Sequence, residues 1–254
     1  MTTTIPGKPI WFEHVSPHAK RAQAFYGEVF GWRTQSFPMP GGSYDMIFAG
    51  PAQSDMIGGY GMPRGDAAMW ATVVSVEDVD LTCEAVTSHG GRVLEGPANI
   101  PMAGRWARIA DPQGAAISIM KRDNGDPPDR LAPPNTFLWI ELHTPDPSAA
   151  LRFYHDVLGY EHKTLPSPAG DYHVIGRGGK DRGGVTSHLA PGAAPHWLPY
   201  VCVDDADATV ARAKQHGATI VMGPEDVPMA GRLAVLIDPV GASIAILKPD
   251  PAMK

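Results

Sequence analysis

The sequence has few of the features that mark special classes of protein. Its 254 residues include only two cysteines, and 19% of the residues are charged. Neither Cys83 nor Cys202 belongs to a zinc-ligand spacing, so we expect both to be buried free thiols in a reducing compartment, the cytoplasm. No apolar run approaches the ~20 residues that cross a bilayer. The first residues also lack the basic and apolar regions of a signal peptide.

Positive charge is scarce as well. Lysine and arginine number 21 against 27 acidic residues, which gives a net charge of −6, and they form no basic stripe. We therefore expect neither nucleic acid nor a membrane surface as a partner. The hydrophobic fraction of 43% and the chain length suffice for two ordinary domains with their own cores.

What the sequence does contain is an internal repeat. The tripeptide Trp-Phe-Glu at 11–13 returns as Trp-Ile-Glu at 139–141, and Pro-Met-Ala-Gly-Arg at 101–105 recurs letter for letter at 228–232. The copies are 128 residues apart in the first case (139 minus 11) and 127 in the second (228 minus 101). Such a small slip over this distance predicts two copies of one folded unit.

Each copy repeats one order of elements twice. A strand near 10–16 or 138–144 precedes a helix with apolar residues at helical spacing, and Ser16 and Asp146, each before a proline, are the predicted caps. A second strand, helix and set of strands then follow. We therefore predict an α+β fold of four βαβββ modules. A linker at 123–135, rich in Pro, Asp and Asn, divides the chain into domains 1–122 and 136–254.

These patterns resemble the vicinal oxygen chelate superfamily of glyoxalases, extradiol dioxygenases, fosfomycin-modifying enzymes and bleomycin-binding proteins. The resemblance rests on Phe-Tyr-x-x-Val-Phe-Gly-Trp at 25–32, Val-Glu-Asp-Val-Asp at 76–80 and Asp-Pro-Gln-Gly at 111–114. The repeated Trp-x-Glu and Gly-Arg pairs are similar to those of the tandem glyoxalase-like 27 kDa antigen group of actinobacteria. The resemblance implies two tandem half-barrel domains, each made of two modules around a ligand-binding cup.

The resemblance also implies a divalent metal site, with ligands from the first strand, the strand before the second helix and the last strand of a copy. These positions fall on Trp11, Ala71 and Ser118 in the first copy and on Trp139, Leu198 and Ala245 in the second. A zinc site needs at least three protein ligands, whereas these side chains offer only a weak one, the Ser118 hydroxyl. We therefore expect no metal cofactor.

Glu13 and Glu141 are the candidate catalytic residues. Each follows a tryptophan by two residues, so Trp11 and Glu13, like Trp139 and Glu141, share a strand face. One interpretation is a general acid/base between aromatic walls formed by the tryptophans. The other is a structural carboxylate, satisfied by backbone amides or by an arginine such as Arg105 or Arg232.

The remaining candidates would line the same cups as ligand-binding residues. They are His143, which shares the face of Glu141, together with Tyr44, Tyr172, Tyr200 and Ser118. A metal site rebuilt around Glu141 and His143 would need a third ligand, for which His173, His188 and His196 are the candidates. Trp70 and Trp197 are expected in the core or at the seam between domains, and His14 on the strand face opposite Glu13.

These residues are compatible with three different functions. The first is metal-independent binding of a carbonyl-bearing or aromatic metabolite, with glyoxalase-like lyase or isomerase activity. The second is a metal-dependent enzyme of the glyoxalase or dioxygenase type, rebuilt in the second domain. The third is a scaffold with filled cups. Whether the protein is an enzyme stays undecided, and we expect either a monomer that imitates a dimer of single-unit relatives or a homodimer.

Overall fold

The computed structural model describes residues 3–39, 42–166, 170–190 and 192–251. The first module comprises β1 (Pro9–Val15), α1 (Ala19–Phe30), β2 (Arg33–Met39), β3 (Gly42–Phe48) and β4 (Met56–Gly61). The second comprises β5 (Met69–Ser75), α2 (Val79–Ser88), β6 (Arg92–Ile100), β7 (Gly104–Ala110) and β8 (Ala116–Arg122). The third comprises β9 (Phe137–His143), α3 (Pro147–Leu158), β10 (Glu161–Leu165), β11 (Tyr172–Arg177) and β12 (Lys180–Thr186). The fourth comprises β13 (His196–Cys202), α4 (Ala206–Gln215), β14 (Thr219–Val227), β15 (Gly231–Ile237) and β16 (Ser243–Pro249).

The strands form two sheets of eight. Their orders are β2-β3-β4-β1-β5-β8-β7-β6 and β10-β11-β12-β9-β13-β16-β15-β14, so the second sheet repeats the first. Strands β1 and β4 pair in parallel, as do β9 and β12, whereas the hairpins within each module are antiparallel. The predicted α+β fold of four βαβββ modules, arranged as two tandem half-barrel sheets, is confirmed.

The chain also divides into two compact units, each with segments from both copies of the repeat. Unit 1 comprises Met1–Trp11, Ala71–Asp129 and Trp139–Leu198, and unit 2 comprises Phe12–Trp70, Arg130–Leu138 and Pro199–Lys254. Unit 1 therefore holds most of the second and third modules, and unit 2 most of the first and fourth. The division into domains 1–122 and 136–254 with a linker at 123–135 stays a prediction.

The helices begin and end largely where local chemistry favours it. Three aspartates cap helices by accepting a hydrogen bond from a backbone N–H: Asp78 from Leu81, Asp146 from Ala149 and Asp205 from Ala208. Gly31 and Gly159 end α1 and α3 in the left-handed conformation. The prediction for Ser16 was wrong. The α1 helix begins later, at Ala19 after His18, and the Ser16 hydroxyl instead accepts from the His18 N–H.

Strands β2 and β10 are the elements that the sequence pattern did not locate. Each forms the edge of its sheet, and most of its residues are exposed. An edge strand with little buried surface needs no alternation of apolar and polar residues, so it lacks the pattern from which strands are predicted.

The core contains the residues that the helical spacing predicted. Ala22, Phe25, Tyr26, Val29 and Phe30 of α1 are all buried, as are their α3 counterparts. Trp70 and Trp197 are buried too, and Cys83 and Cys202 are buried free thiols. In the part of the chain that the structure describes, no helix has both the length and the apolar character needed to span a membrane.

Candidate functional site

In unit 2, Glu13 on β1 is held by a tyrosine and an arginine. The Tyr44 hydroxyl donates to Glu13 Oε1 at 2.9 Å, and Arg64 Nη1 lies 3.6 Å from Glu13 Oε2. Gly59 makes this possible, since a Cβ there would lie 2.2 Å from the Tyr44 hydroxyl. A partly exposed carboxylate with a guanidinium partner is suited to charge pairing and to hydrogen bonding with a ligand.

In unit 1, the equivalent carboxylate is that of Glu141, and it ends a chain of hydrogen bonds. The Trp139 indole N–H donates to the Tyr172 hydroxyl at 3.0 Å, and that hydroxyl is bonded to the buried Glu141 carboxylate. Burial, then the charge of Glu141, raises the pKa of Tyr172 far above its usual value of 10, so the phenol stays protonated. A Cβ at Gly184 would lie 2.0 Å from the same hydroxyl. The two glycines thus leave equivalent space for a tyrosine in each unit.

His143 distinguishes the Glu141 site from the Glu13 site. Its Nε2 lies 2.8 Å from Glu141 Oε1, as an ion pair rather than a well-aligned hydrogen bond, and its Nδ1 lies 2.7 Å from the His188 carbonyl oxygen. A carbonyl can only accept, so Nδ1 carries a proton, and an unprotonated Nε2 would point a lone pair at a carboxylate. Burial opposes the charge, but Glu141 outweighs it and raises the pKa of His143 above 6.5.

A second imidazole, that of His196, lies parallel to His143. The ring centroids are 5.1 Å apart with an interplanar angle of 10°, and His196 Nδ1 is 2.9 Å from the Ala194 carbonyl oxygen. Burial, with a contribution from the charge of His143, lowers the pKa of His196 below 6.5. Of the two adjacent imidazoles, His143 therefore keeps its proton to a higher pH than His196.

The opposite face of β1 carries a different buried polar network, also in unit 2. His14 Nε2 lies 2.9 Å from Asp238 Oδ2, which also accepts from the Tyr26 hydroxyl at 3.0 Å, and the Trp70 indole N–H donates to that hydroxyl at 2.7 Å. The side chains of His14 and Asp238 are fully buried. His14 is thus on the face opposite Glu13, as the strand period predicts.

Unit 1 has the same network without the histidine. The Asp111 Oδ2 atom accepts from the Tyr154 hydroxyl at 3.3 Å, and Trp197 donates to that hydroxyl at 3.1 Å. Leu142 replaces the histidine at the equivalent position of β9. Burial raises the pKa of Asp111, whereas in unit 2 His14 overcomes burial and lowers the pKa of Asp238. The networks were missed at the sequence level, although the repeated Asp-Pro-x-Gly at 111–114 and 238–241 marks both aspartates.

The remaining predicted site residues lie outside these two clusters. Trp11 belongs to unit 1, where it packs against the buried cluster of Ile10, Val73 and Met120. Ser118 is buried on β8 beside Val73, and Tyr200 is buried on β13 beside Ala245. His173 takes the strand face opposite Tyr172 and contacts the Thr164 hydroxyl. The roles of these residues stay predictions.

The alternative in which Arg105 or Arg232 pairs with the glutamates does not match the structure. Arg105 forms a two-pronged ion pair with Asp80 on α2, and Arg232 forms one with Asp207 on α4. Each arginine is the second residue of its strand, β7 or β15, directly after a turn. Arg64, in the loop after β4, is the arginine that faces Glu13, and no sequence pattern marked it.

The donor set does not fit the metal that the resemblance implies. The expected ligand positions carry indole, methyl, isobutyl and one hydroxyl group. Among the residues that the structure describes, no group of three or more His, Cys, Asp or Glu side chains is arranged to hold a metal ion. Glu141 and His143 face each other directly, and three protein ligands are the minimum for a catalytic zinc site.

Comparison with known proteins identifies the family. Residues 11–119 and 136–246 match the model of the Glyoxalase/Bleomycin resistance protein/Dioxygenase superfamily. The chain therefore belongs to this superfamily, as its motifs suggested.

Two relatives are similar over almost their full length. The chain is 36% identical to the protein named "Putative glyoxylase CFP32" of Mycobacterium tuberculosis, over 96% of each chain. It is 31% identical to "Anthracycline biosynthesis protein DnrV" of Streptomyces peucetius, over 98% of this chain and 95% of the relative.

Solved structures share the fold at low identity. The Mn(II)-bound glyoxalase of Novosphingobium aromaticivorans gives a TM-score of 0.66 at 17% identity, over 98% of this chain and 83% of that one. The 2,2',3-trihydroxybiphenyl 1,2-dioxygenase of Sphingomonas wittichii gives 0.63 at 15%, over 97% and 91%. These likenesses concern the fold alone.

Proposed function

We propose that this protein binds a small carbonyl-bearing or aromatic metabolite at the strand faces of Glu13 and Glu141 and moves a proton on it without a metal. The reaction would be of the glyoxalase-like lyase or isomerase type, with the Glu141 site as its centre. The relatives named for a glyoxylase and for anthracycline biosynthesis are consistent with such a ligand.

The observation that carries the proposal is the 2.8 Å contact between Glu141 Oε1 and His143 Nε2. Since His143 Nδ1 is bonded to the His188 carbonyl, Nε2 is the nitrogen that can give a proton to the carboxylate or take one from it. Next to it, Tyr172 is fixed as a hydrogen-bond donor and the His196 ring is held as a base. An acid and a base side by side are what proton transfer next to a carbonyl group requires.

The Glu13 site supports binding more than catalysis. Glu13 is paired with Arg64 and Tyr44, and Val15 takes the place that His143 has in the second copy. At this position Val15 offers the carboxylate no group that titrates near neutral pH. We assign it ligand recognition through charge and hydrogen bonds.

The test uses protein treated with a chelator. Binding of α-dicarbonyl and hydroxyaromatic probes would be followed by tryptophan fluorescence, and proton transfer by deuterium exchange at the carbon next to the carbonyl. We expect both in the metal-free protein, with Glu141→Gln lowering the exchange rate by about 10²–10⁴-fold. The matched control is Glu161→Gln, an exposed glutamate on β10 of the same unit, which should change neither.

The alternative is a metal-dependent glyoxalase- or dioxygenase-type enzyme rebuilt around Glu141, His143 and His196. The short contact between Glu141 and His143, with His196 parallel to His143, is the observation in its favour, although the described residues do not arrange three ligands around a metal. Exchange that appears only after a divalent metal is added, with stoichiometric metal in the active protein, would establish this alternative and overturn the proposal. Metal-free exchange unaffected by Glu141→Gln would remove both.

A further inference from the structure

A surface cavity in unit 1 lies between α2 and the C-terminal end of α3, and its lining shares no residue with the Glu141 site. Its volume is about 240 Å³. Its lining includes Glu77, Asp78, Thr82, Ala85, Val157 and Arg177. Sites for drug-sized ligands measure roughly 300–1,000 Å³, so this cavity is suited to a small ligand or one polar group.

The internal repeat shows what the equivalent place in unit 2 contains. Helix α4 is the counterpart of α2, with Arg212 at the position of Ala85 (212 minus 127). The Arg212 guanidinium donates to the Val29 carbonyl oxygen from Nε at 3.3 Å and from Nη2 at 3.2 Å. Nη2 also lies 3.2 Å from Thr209 Oγ1. Unit 2 thus binds a guanidinium group from its own chain.

The acceptors for this group are retained in unit 1. Val157 is the counterpart of Val29, and Thr82 that of Thr209. Both threonine hydroxyls donate to the backbone carbonyl of the capping aspartate, Thr82 at 2.6 Å and Thr209 at 2.7 Å. Each hydroxyl oxygen therefore presents its lone pairs in the same way. The methyl group of Ala85 leaves free the volume that an arginine side chain takes in unit 2.

The charges at the cavity favour a cation. The C-terminal end of α3 carries the negative end of its helix dipole, and Glu77 and Asp78 add two carboxylates. Among the described residues of the lining, the one cation is Arg177. Its Nη1 donates to the Leu158 carbonyl oxygen at 3.0 Å, and its Nη2 lies 3.7 Å from Glu77 Oε1. The N-terminal end of α2, which Asp78 caps, adds a partial positive charge, but two carboxylates and the C-terminal end of α3 still exceed the positive charges together.

We propose that the α2–α3 cavity of unit 1 binds the guanidinium group of a small molecule, as unit 2 binds the guanidinium of its own Arg212. A planar group with several N–H donors matches the carbonyl of Val157 and the hydroxyl of Thr82. An ammonium group, a compact charge without the planar fork, would fit these acceptors less well. The site is separate from the Glu141 site and does not depend on its activity.

The first experiment follows the methyl NMR signals of Thr82, Ala85 and Leu81 during titration with methylguanidinium chloride, at concentrations far below those that unfold proteins. We expect saturable shifts at these residues. Ethylammonium chloride and sodium chloride at equal ionic strength are the controls for charge and for screening. Equal shifts with all three salts, or shifts that do not saturate, would contradict the proposal.

Variants taken from the repeat itself make the test specific. Ala85→Arg places the arginine of unit 2 in unit 1 and should abolish the shifts, while Arg212→Ala should add a second saturable set at Thr209 and Ala208. If Ala85→Arg does not fold, Thr82→Val still removes one acceptor and should weaken binding about 5-fold. Unchanged affinity in that variant would refute the assignment.

A last pair of probes distinguishes the source of the guanidinium. Free L-arginine represents a small molecule, and a tripeptide with a central arginine represents a protein partner. We expect L-arginine to bind at least as tightly, because the cavity has room for little beyond the group itself. Clearly tighter binding of the tripeptide would assign the cavity to a protein partner and overturn the small-molecule proposal.

Discussion

The two units contain the same buried Asp–Tyr–Trp network but differ in one neighbour. In unit 2, His14 pairs with Asp238, whereas in unit 1 Leu142 stands at the equivalent position next to the Asp111 network. The pKa of the aspartate is lowered in the first case and raised in the second. A single residue, His14 on β1 or Leu142 on β9, thus decides whether burial or charge pairing dominates the pKa of the buried aspartate.

On the other face of the same strands, the histidine belongs to unit 1 and not to unit 2. His143 pairs with Glu141 in unit 1, whereas Arg64 and Tyr44 hold Glu13 in unit 2. An arginine stays charged at all relevant pH values, but a histidine gains and loses its proton near neutrality. The two copies of the repeat therefore share one framework. Only the second copy has a histidine, His143, on its Trp-x-Glu face, and histidine is the side chain that titrates near neutral pH.

The largest expected effect comes from removing the aspartates. Asp238→Ala leaves His14 and Tyr26 without their buried partner and should lower the free energy of unfolding by about 3–5 kcal/mol. Asp111→Ala removes hydrogen bonds but no ion pair, so it should lower the free energy of unfolding by a smaller amount, about 1–3 kcal/mol. Urea unfolding measures both. Replacing His14 by Leu in the Asp238→Ala background should then cost little more, whereas equal losses in the two single variants would refute the comparison.

A second, intermediate effect concerns the titration of the imidazoles. We expect His143 to titrate above 6.5 and His196 below it in NMR spectra. Because the folded pKa of His143 is raised, its stabilising contribution is complete below pH 6.5 and is lost as the pH rises through the folded pKa. Glu141→Gln should weaken this loss and lower the pKa of His143, since burial is then opposed only by the bond to the His188 carbonyl. An unchanged pKa of His143 in the Glu141→Gln variant would disprove the ion pair between His143 and Glu141.

The smallest expected effect is the difference between replacing Tyr172 and replacing Tyr44. Tyr172→Phe removes the acceptor of the Trp139 N–H and one of the partners of the buried Glu141, so we expect a loss of about 1–3 kcal/mol in the free energy of unfolding. Tyr44→Phe should cost only about 0.5–1.5 kcal/mol, because Glu13 is more exposed and keeps Arg64. Denaturant unfolding of the two variants side by side provides the measurement. A reversed order would show that Glu141 does not depend on Tyr172.

Much of the framework could be predicted from the sequence because it follows from local periodicity. The stripe from Ala22 to Phe30 gave the buried face of α1, and strand alternation separated Glu13 from His14. The exposed edge strands β2 and β10 carry no such pattern. The site was predictable only in part: the shared face of Glu141 and His143 follows from spacing, but Arg64 is in a loop and the His188 carbonyl is a backbone group that no motif marks.

The sequence by itself determined that this chain is a duplicated βαβββ protein with a tryptophan and a glutamate on one face of each first strand. The tertiary structure alone decided which partner each charged group meets. His14 and Asp238 are 224 residues apart, and Glu141 and Tyr172 are on different strands. Periodicity fixes the face on which a side chain lies, because it depends on neighbours along the chain. Pairing depends on sheet order and packing between distant segments, which local sequence does not encode.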